Sequence, residues 1–450
     1  MQTKQKKKKK KQIETKINNF RNNIVKYNDS IWCPNAGIEY ESKNINSWFD
    51  INVSESINKH KFKYKFNKKH NGNDFMKCKR IELKLNIPQK KIVNHWFNSY
   101  TIMYNKTLKL IKKRSLSKET NTLNFRKLRT NYLKDEKKDI ENFYKEKKLK
   151  VQSHSLDYAI KTASTSYKSA FANLRNKNIK HFRVRYLKIN RPRKIFDFES
   201  QNFGKKGLCF NALRKVNAYY DNNIYDLSKV STTSRLVYDK MVNRYYLYVP
   251  EKVEQEKLEQ PNEVISLDPG IRTFMTGISE NEAIKIGDKC NGRIKEYLQK
   301  TDKINRKEIS NKIKRKHEKR NNKKISNLVD ELHWKSINYL TNNYKNILIG
   351  NLSTKGIVSN KTSNLHNMTK RLAYRFKFHV FRQRLEYKCN VKNANYILID
   401  ESYTSKMCSR CGYCKNDLGA AKIFECDDCD VRMDRDINGA RGILIKGMKK

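Results

Sequence analysis

Four cysteines near the C-terminus have the residue type and spacing of a metal site. They form two Cys-x-x-Cys pairs, Cys408/Cys411 and Cys426/Cys429, separated by fourteen residues. Each pair marks a tight turn that can aim both sulfurs at one ion, and four thiolates close a tetrahedral Zn²⁺ site with no open position, hence a structural one. Cys414 makes a further Cys-x-x-Cys with Cys411; it reads as a thiol beside the site, with exchange for a ligand as the alternative. Acids flank the cysteines, Glu401 before them and Asp434 and Asp436 after. DRDINGARGILIKG reads as a helix start, which places an acid of its first turn well for meeting a metal. Far upstream, Asp268 sits near the end of a short apolar strand, Val264–Leu267, before a Pro-Gly turn. Carboxylates suit Mg²⁺, a hard ion that prefers oxygen and keeps some of its water. Two such ions about 4 Å apart can stabilise both the attacking and the leaving oxygen of a phosphodiester, so three acids suffice without a histidine or cysteine nucleophile.

The segments that carry these residues resemble a known family. TSKMCSRCG, the CDDC pair, DRDINGARGIL and, upstream, DPG followed by RTF are similar to the motifs of the transposon-encoded TnpB (OrfB) family. The likeness is greatest to its Fanzor-like branch in eukaryotes and giant viruses. It spans roughly residues 79–447 and is specific in 264–277 and 396–445. The family is similar to type V CRISPR effectors. The resemblance therefore implies an RNA-guided DNA endonuclease whose RNase H-like (RuvC) domain is interrupted by a zinc ribbon, with Asp268, Glu401 and Asp436 as catalytic magnesium ligands. Most members carry the second acid, a glutamate, at the end of the strand that here reads YKNILIG, where this chain has Gly350 and Asn351. In the Fanzor-like branch the glutamate is relocated to the position that Glu401 holds, after NYILI. Neighbouring parallel strands open their carboxyl ends onto one crevice, so a glutamate on one can serve a metal lost by the other. Asp400, one residue earlier, points to the opposite face. Asp436 precedes the I-N-x-A segment as the family's aspartate does, and Asp434 reads as a cap or a partner of Arg435 or Arg441. Gly439 and Gly442 replace Ala and Asn of many relatives, which predicts a slightly loosened helix.

Composition points to the partner. Lysine and arginine number 99 against 45 acids, a formal net charge of +54, which calls for a long polyanion. Hydrophobic residues make up 37%, with 25 Tyr and 19 Phe, enough for packed cores and too many for a disordered basic protein. No apolar run is long enough to span a bilayer and no signal peptide is evident, so the expected location is intracellular: nucleus or viral factory for a eukaryotic or viral source, otherwise cytoplasm. Four or five of the ten cysteines cluster, a pattern of metal use in a reducing compartment.

The elements that must position these residues divide the chain. Residues 1–75 read as a basic, partly disordered extension that opens with the unbroken run Lys6–Lys11. Residues 76–255 read as a nucleic-acid-binding wedge and recognition lobe: the strand Lys79–Pro88, a helix with Trp96 and Tyr104 in its core, and a helix near Ser155–Asn176. Along that second helix Ala159, Ala163, Tyr167, Ala170, Phe171 and Leu174 share one face. Short strands (KIFDFES, GLCFNAL, RLVYDKM, RYYLYVP) then suggest a meander or small barrel. Lys168, Arg175, Arg183, Arg185 and Lys188 are the candidate phosphate contacts. Residues 262–405 read as the nuclease core, with a helical hairpin over 288–345 that turns at KIKRKHEKRNNKK and buries His333 and Trp334. Residues 406–431 form the zinc ribbon and 432–447 the final core helix. The fold class expected is α/β plus mixed. The expected cofactors are structural Zn²⁺, catalytic Mg²⁺ and a guide RNA, and the expected partners are that RNA and target DNA, with no membrane or small-molecule cofactor. A catalytically degenerate nucleic-acid-binding member of the family is the alternative. A strand-joining transposase lacks the Tyr or His-x-His arrangement it would use, and a zinc-ribbon transcription or ribosomal factor would leave Asp268 unexplained.

Overall fold

The computed structural model describes residues 2–27, 31–57, 75–116, 123–147, 151–256, 260–359, 364–415, 417, 419 and 421–448. They divide into two compact units, one of residues 1–75 with 254–450 and one of residues 76–253. Both mix helices with sheet.

In the first unit the elements are α1 (Gln2–Tyr27), β1 (Glu41–Lys43), β2 (Ile51–Glu55), β3 (Asn262–Pro269), β4 (Met275–Ile278), β5 (Glu282–Ile286), α2 (Asn291–Arg306), α3 (Asn311–Asn343), β6 (Tyr344–Gly350), α4 (Asn367–Phe376), α5 (Phe378–Val391), β7 (Asn395–Ile399), β8 (Ile423–Glu425), β9 (Arg432–Asp434) and α6 (Arg435–Gly447). Seven strands form one sheet in the order β1-β2-β5-β4-β3-β6-β7. β3 turns back antiparallel into β4, whereas β6 lies parallel to β3 with Leu267 opposite Ile349. β7 lies parallel to β6 with Gly350 opposite Ile399. A strand covered on both faces reads as a continuous apolar run rather than an alternation, and YKNILIG is such a run. Ile265, Leu267, Ile347 and Ile349 pack with α3 and α5 through Leu332, Leu340, Phe378 and Phe381. Val264 and Leu348 pack on the other side with Ile437, Ile443 and Leu444 of α6.

The N-terminal segment departs from expectation. The lysine run predicts a disordered tail over 1–30, yet Gln2–Tyr27 is a helix. Its second half carries Phe20, Ile24 and Tyr27 at i, i+4 and i+7, all buried in the α6 core. Burial of that stripe supplies what charge repulsion in the first half opposes. β2 then joins the sheet antiparallel to β5, Ile51 opposite Ile286, so part of the extension completes the core. The hairpin also differs. α2 and α3 are joined through residues 307–310, and KIKRKHEKRNNKK lies inside α3. That stretch has no Gly or Pro, and Lys, Arg and Glu are good helix formers, so charge density alone does not make a turn. His333 is fully buried, stacked on Phe274 and bonded through Nε2 to the Phe376 carbonyl. Trp334, expected in the core, is 45% exposed, with the Arg384 guanidinium 5.2 Å from its ring centre.

The second unit is a six-stranded sheet, in the order 193–198, 234–239, 244–253, 75–84, 217–220, 223–224, packed with the helices Ile87–Leu116 and Ser153–Arg175. Among the described residues that order is open, not a closed barrel. GLCFNAL is not a strand beyond Gly207–Leu208; Phe210–Leu213 is helical. Trp96 and Tyr104 are core residues, and Trp96 stacks on Phe196 at 5.6 Å. Tyr100 donates to Asp197 at 2.9 Å, and Arg235 grips the same carboxylate at 2.6 and 3.1 Å, so the charge buried there is paired.

Because α1 is seated by its apolar stripe, we expect Ile24→Ala to lower the stability of the full-length protein by about 2–5 kcal/mol. Urea denaturation measures this; a free tail would give no change.

Candidate metal centres

The cysteines converge. The Sγ atoms of Cys408, Cys411, Cys426 and Cys429 all lie within 4.8 Å of one another, with 3.7 Å between Cys408 and Cys429 and 3.5 Å between Cys411 and Cys426. A tetrahedron with Zn–S bonds of about 2.3 Å has edges of about 3.8 Å, so the sulfur spacing fits the ion. Backbone N–H groups of Arg410 and Tyr413 face the sulfurs of Cys408 and Cys411 at 3.4 and 3.5 Å. Gly412 leaves its knuckle at φ +82°, which favours glycine. Cys414 stands outside the four, in a bridge to Met407. Cys33, which the sequence does not single out, packs against this cluster.

The ribbon is fastened to α6. Asn438 accepts from Ser409 N at 2.9 Å and donates to Met407 O at 3.0 Å. Arg441, fully buried, donates to the carbonyls of Ser409, Ile31 and Trp32. Asp436 begins the same helix. Asp434 is its N-cap, accepting from Asp436 N at 2.9 Å, and pairs with Lys285 at 2.8 Å, not with Arg435 or Arg441 as the sequence suggests.

The acids come from three segments. Asp268 ends β3, Glu401 follows β7 and Asp436 opens α6. Asp268 feels the other two: burial raises its carboxyl well above its ordinary value, and the charges of Asp436 and Glu401 push it further. Burial likewise raises Asp436, with Asp434 adding to it, while Arg435, Lys285 and Arg272 act against the rise. Burial pushes Glu401 up to about 7, and Asp400 pushes the same way. The adjacent acid goes the opposite way. Hydrogen bonds from Ser402 hold Asp400 down to about 2, and Lys16 pairs with it at 3.2 Å.

Two glycines shape this cluster. A Cβ on Gly350 would lie 3.0 Å from Glu401 Oε2, 3.1 Å from Ile443 Cδ1 and 3.2 Å from Pro269 Cδ. The Glu401 side chain thus reaches the place from which a side chain on β6 would start. Its Oε2 is buried and has no hydrogen-bond partner. A Cβ on Gly439 would run into Asp268 Oδ2. That oxygen is the movable end of its side chain, so an Ala here would require the Asp268 carboxylate to turn, a coupling that a view of Gly439 as mere loosening of the helix misses. Asp268, which feels both other acids, and the Glu401 oxygen without a hydrogen-bond partner among the described residues make these acids candidates for holding a divalent cation. They are spread more widely than the four sulfurs, since the cysteines are the one group of ligating atoms found that tightly together among the described residues.

The five candidate phosphate contacts, Lys168, Arg175, Arg183, Arg185 and Lys188, are all exposed on the second unit. Residues 181–188, whose sequence HFRVRYLK alternates, form no sheet strand, and the alternation breaks after Val184: Phe182, Val184 and Leu187 pack on the core while Tyr186 is exposed. Among the described residues no helix is long and apolar enough to cross a membrane.

Two family models match the sequence. The family described as a probable transposase (OrfB_IS605) matches residues 247–361, and the Cas12f1-like TNB domain matches residues 378–443. TnpB-like protein L79 of Acanthamoeba polyphaga mimivirus is 28% identical over 458 residues, covering 93% of this chain and 86% of that protein. Over most of its length the chain is thus similar to TnpB-like proteins of giant viruses, with OrfB-type family models matching its C-terminal half. The CRISPR-associated endodeoxyribonuclease Cas12f1 of Sulfoacidibacillus thermotolerans is 32% identical over 90 residues, 20% of this chain and 21% of its own. The solved mini-RNA-guided endonuclease CRISPR-Cas_phi3 aligns with a TM-score of 0.47 at 11% identity, over 84% of this chain and 93% of that one.

Two outcomes follow from the geometry. Thiol titration with zinc release should give one Zn²⁺ per chain, unchanged in Cys414→Ser and lost in Cys426→Ser. For the acids, a carboxyl raised in the folded state contributes stability at low pH and loses it as pH rises through the folded value. In EDTA at pH 7.5, Asp268→Asn should therefore melt a few degrees above wild type, with the gap closing near pH 4. Magnesium should narrow the gap by stabilising wild type more than the variant; thermal scans at both pH values check it.

Proposed function

We propose that the protein is an RNA-guided, Mg²⁺-dependent DNA endonuclease encoded by a transposable element. The observation that carries the reading is the buried Glu401 Oε2 lying over Gly350 with no hydrogen-bond partner among the described residues, its charge felt by Asp268 together with that of Asp436. The relocated glutamate answers the absence of an acid on β6, which is the feature that favours a catalytically dead binder. An acid at the end of a strand that turns back antiparallel, beside two parallel strands, supports the RNase H-like interpretation of the sheet.

In this reading Asp268, Glu401 and Asp436 hold Mg²⁺, which when bound stabilises the attacking and leaving oxygens of phosphodiester hydrolysis. The raised carboxyls must give up their protons to do so, which makes cation binding stronger with rising pH through about 7, the Glu401 value. Four cysteines hold Zn²⁺ and, through Ser409, Asn438 and Arg441, fix the helix that begins with Asp436. The cationic second unit binds guide RNA and its heteroduplex with target DNA through the phosphate backbone, leaving sequence to base pairing.

The test starts with the RNA that copurifies when the protein is expressed with its own flanking locus. A discrete species ending in locus-adjacent sequence names a DNA target for cleavage; a random smear of host RNA overturns guidance. On that target Glu401→Ala should lose at least a hundredfold in Mg²⁺-dependent cleavage. Because the Glu401 side chain occupies the space over Gly350, the double variant Glu401→Ala/Gly350→Glu should recover part of the activity. Full activity of Glu401→Ala would remove this residue from the site, and absence of cleavage by wild type would favour the binder.

A further inference from the structure

Within the second unit, the apolar face of the helix Ser153–Arg175 outruns the core that it serves. Ala159 and Ala163 are fully buried and Tyr167 nearly so, but Phe171 is 41% and Leu174 36% exposed. With Leu123 they floor a hollow of about 560 Å³ whose other lining residues are Lys168 and Arg175. The floor is held in place. Ser164 Oγ donates to the Leu123 carbonyl at 2.6 Å, and the Phe171 ring meets Phe182 edge-on at 4.9 Å and Tyr167 at 6.3 Å. Arg183, next to Phe182, is exposed, as is Lys161 on the helix.

Resting on the nucleic-acid reading above, we infer that this hollow takes one unpaired nucleobase of a bound strand, stacked on Phe171, with its flanking phosphates on Lys168 and Arg175. The charge decides the occupant: no carboxylate lines the hollow among the described residues, and its rim cations complement a polyanion rather than a second copy of a +54 chain. The floor decides the feature recognised. A regular duplex offers phosphates and would leave an exposed aromatic face unused, whereas an extruded base has a π-face, and stacking on an aromatic side chain is tolerant of base identity. The volume falls in the range of ordinary ligand pockets.

The experiment is fluorescence anisotropy of the full-length protein with a fluorescein-labelled RNA–DNA heteroduplex, either fully paired or with one unpaired adenosine in the RNA or in the DNA strand. Wild type should bind one of the bulged probes roughly five- to tenfold more tightly than the paired one, and the preferred strand identifies the source of the base. Phe171→Ala should erase the preference and Phe171→Trp should keep it. Lys168→Ala with Arg175→Ala should weaken all probes alike and flatten the salt dependence by about two phosphate contacts. Equal binding of paired and bulged probes by wild type, or a preference that survives in Phe171→Ala, overturns the base site while leaving nucleic-acid binding intact. Failure of every probe to bind at low salt overturns both readings. If sedimentation equilibrium shows that Phe171→Ala turns a dimer into a monomer, the hollow is a self-association surface and the inference is wrong.

Discussion

A buried guanidinium needs partners, and much of the first unit is arranged around the one on Arg441. An uncompensated charge in the interior costs several kcal/mol, so the side chain is tolerable only where oxygens meet it. Here the oxygens come from distant places: the carbonyl of Ser409 in the first cysteine knuckle, and those of Ile31 and Trp32 in the N-terminal segment. The donor sits on the helix that opens with Asp436. One side chain thereby makes the ribbon, the extension and an acid of the cluster depend on the same backbone geometry. Asn438, one turn earlier, repeats the arrangement with a neutral amide. The ribbon's own core is small, with Phe424, Val431 and Met433 beside the cysteines, so it gains its orientation from these fastenings more than from packing.

The acid cluster shows the opposite economy. Its members are largely desolvated, Asp268 feels the charges of the other two, and Glu401 Oε2 has no hydrogen-bond partner among the described residues although Arg382 and Lys446 act to lower its carboxyl. Neighbouring residues are treated in contrary ways: Asp400 is held ionised by Ser402 and Lys16, whereas Glu401 is pushed up to about 7. Two adjacent carboxyls are sorted by environment into one held ionised by its hydrogen bonds and one whose proton is held by burial. Stability given up at such a place is a common companion of function.

What could be read from the sequence follows from how local each signal is. Cysteine spacing, the apolar runs Tyr344–Gly350 and Asn395–Ile399, and the acid before Pro-Gly are short-range patterns, and each lies where its pattern puts it. Glu401 was legible only through resemblance; no periodicity says that its side chain fills the space above a glycine on the neighbouring strand. Gly439 misleads for the same reason, since propensity weighs it as a helix defect, whereas a Cβ there would meet the carboxylate of Asp268, far away in sequence. The stripe Phe20, Ile24, Tyr27 has a clear helical period but is masked by the lysines before it. The strands at 41–43 and 51–55 are too short to announce themselves. Conversely, the charge of residues 312–324 suggests a turn where no turn chemistry exists.

The discontinuity of the first unit bears on when the cluster can exist. β2 pairs with β5, and α1 packs on α6, which ends at Gly447. Between the halves lies a complete unit, residues 76–253, with its own core. At roughly 5–20 residues per second, tens of seconds separate synthesis of β2 from that of α6. During that time the second unit can fold, but Asp268 and Glu401 have no Asp436, and α1 has no surface to cover. The cluster is completed only once α6 has been made, so a nascent chain that has not yet reached α6 displays the cationic unit without the assembled acids.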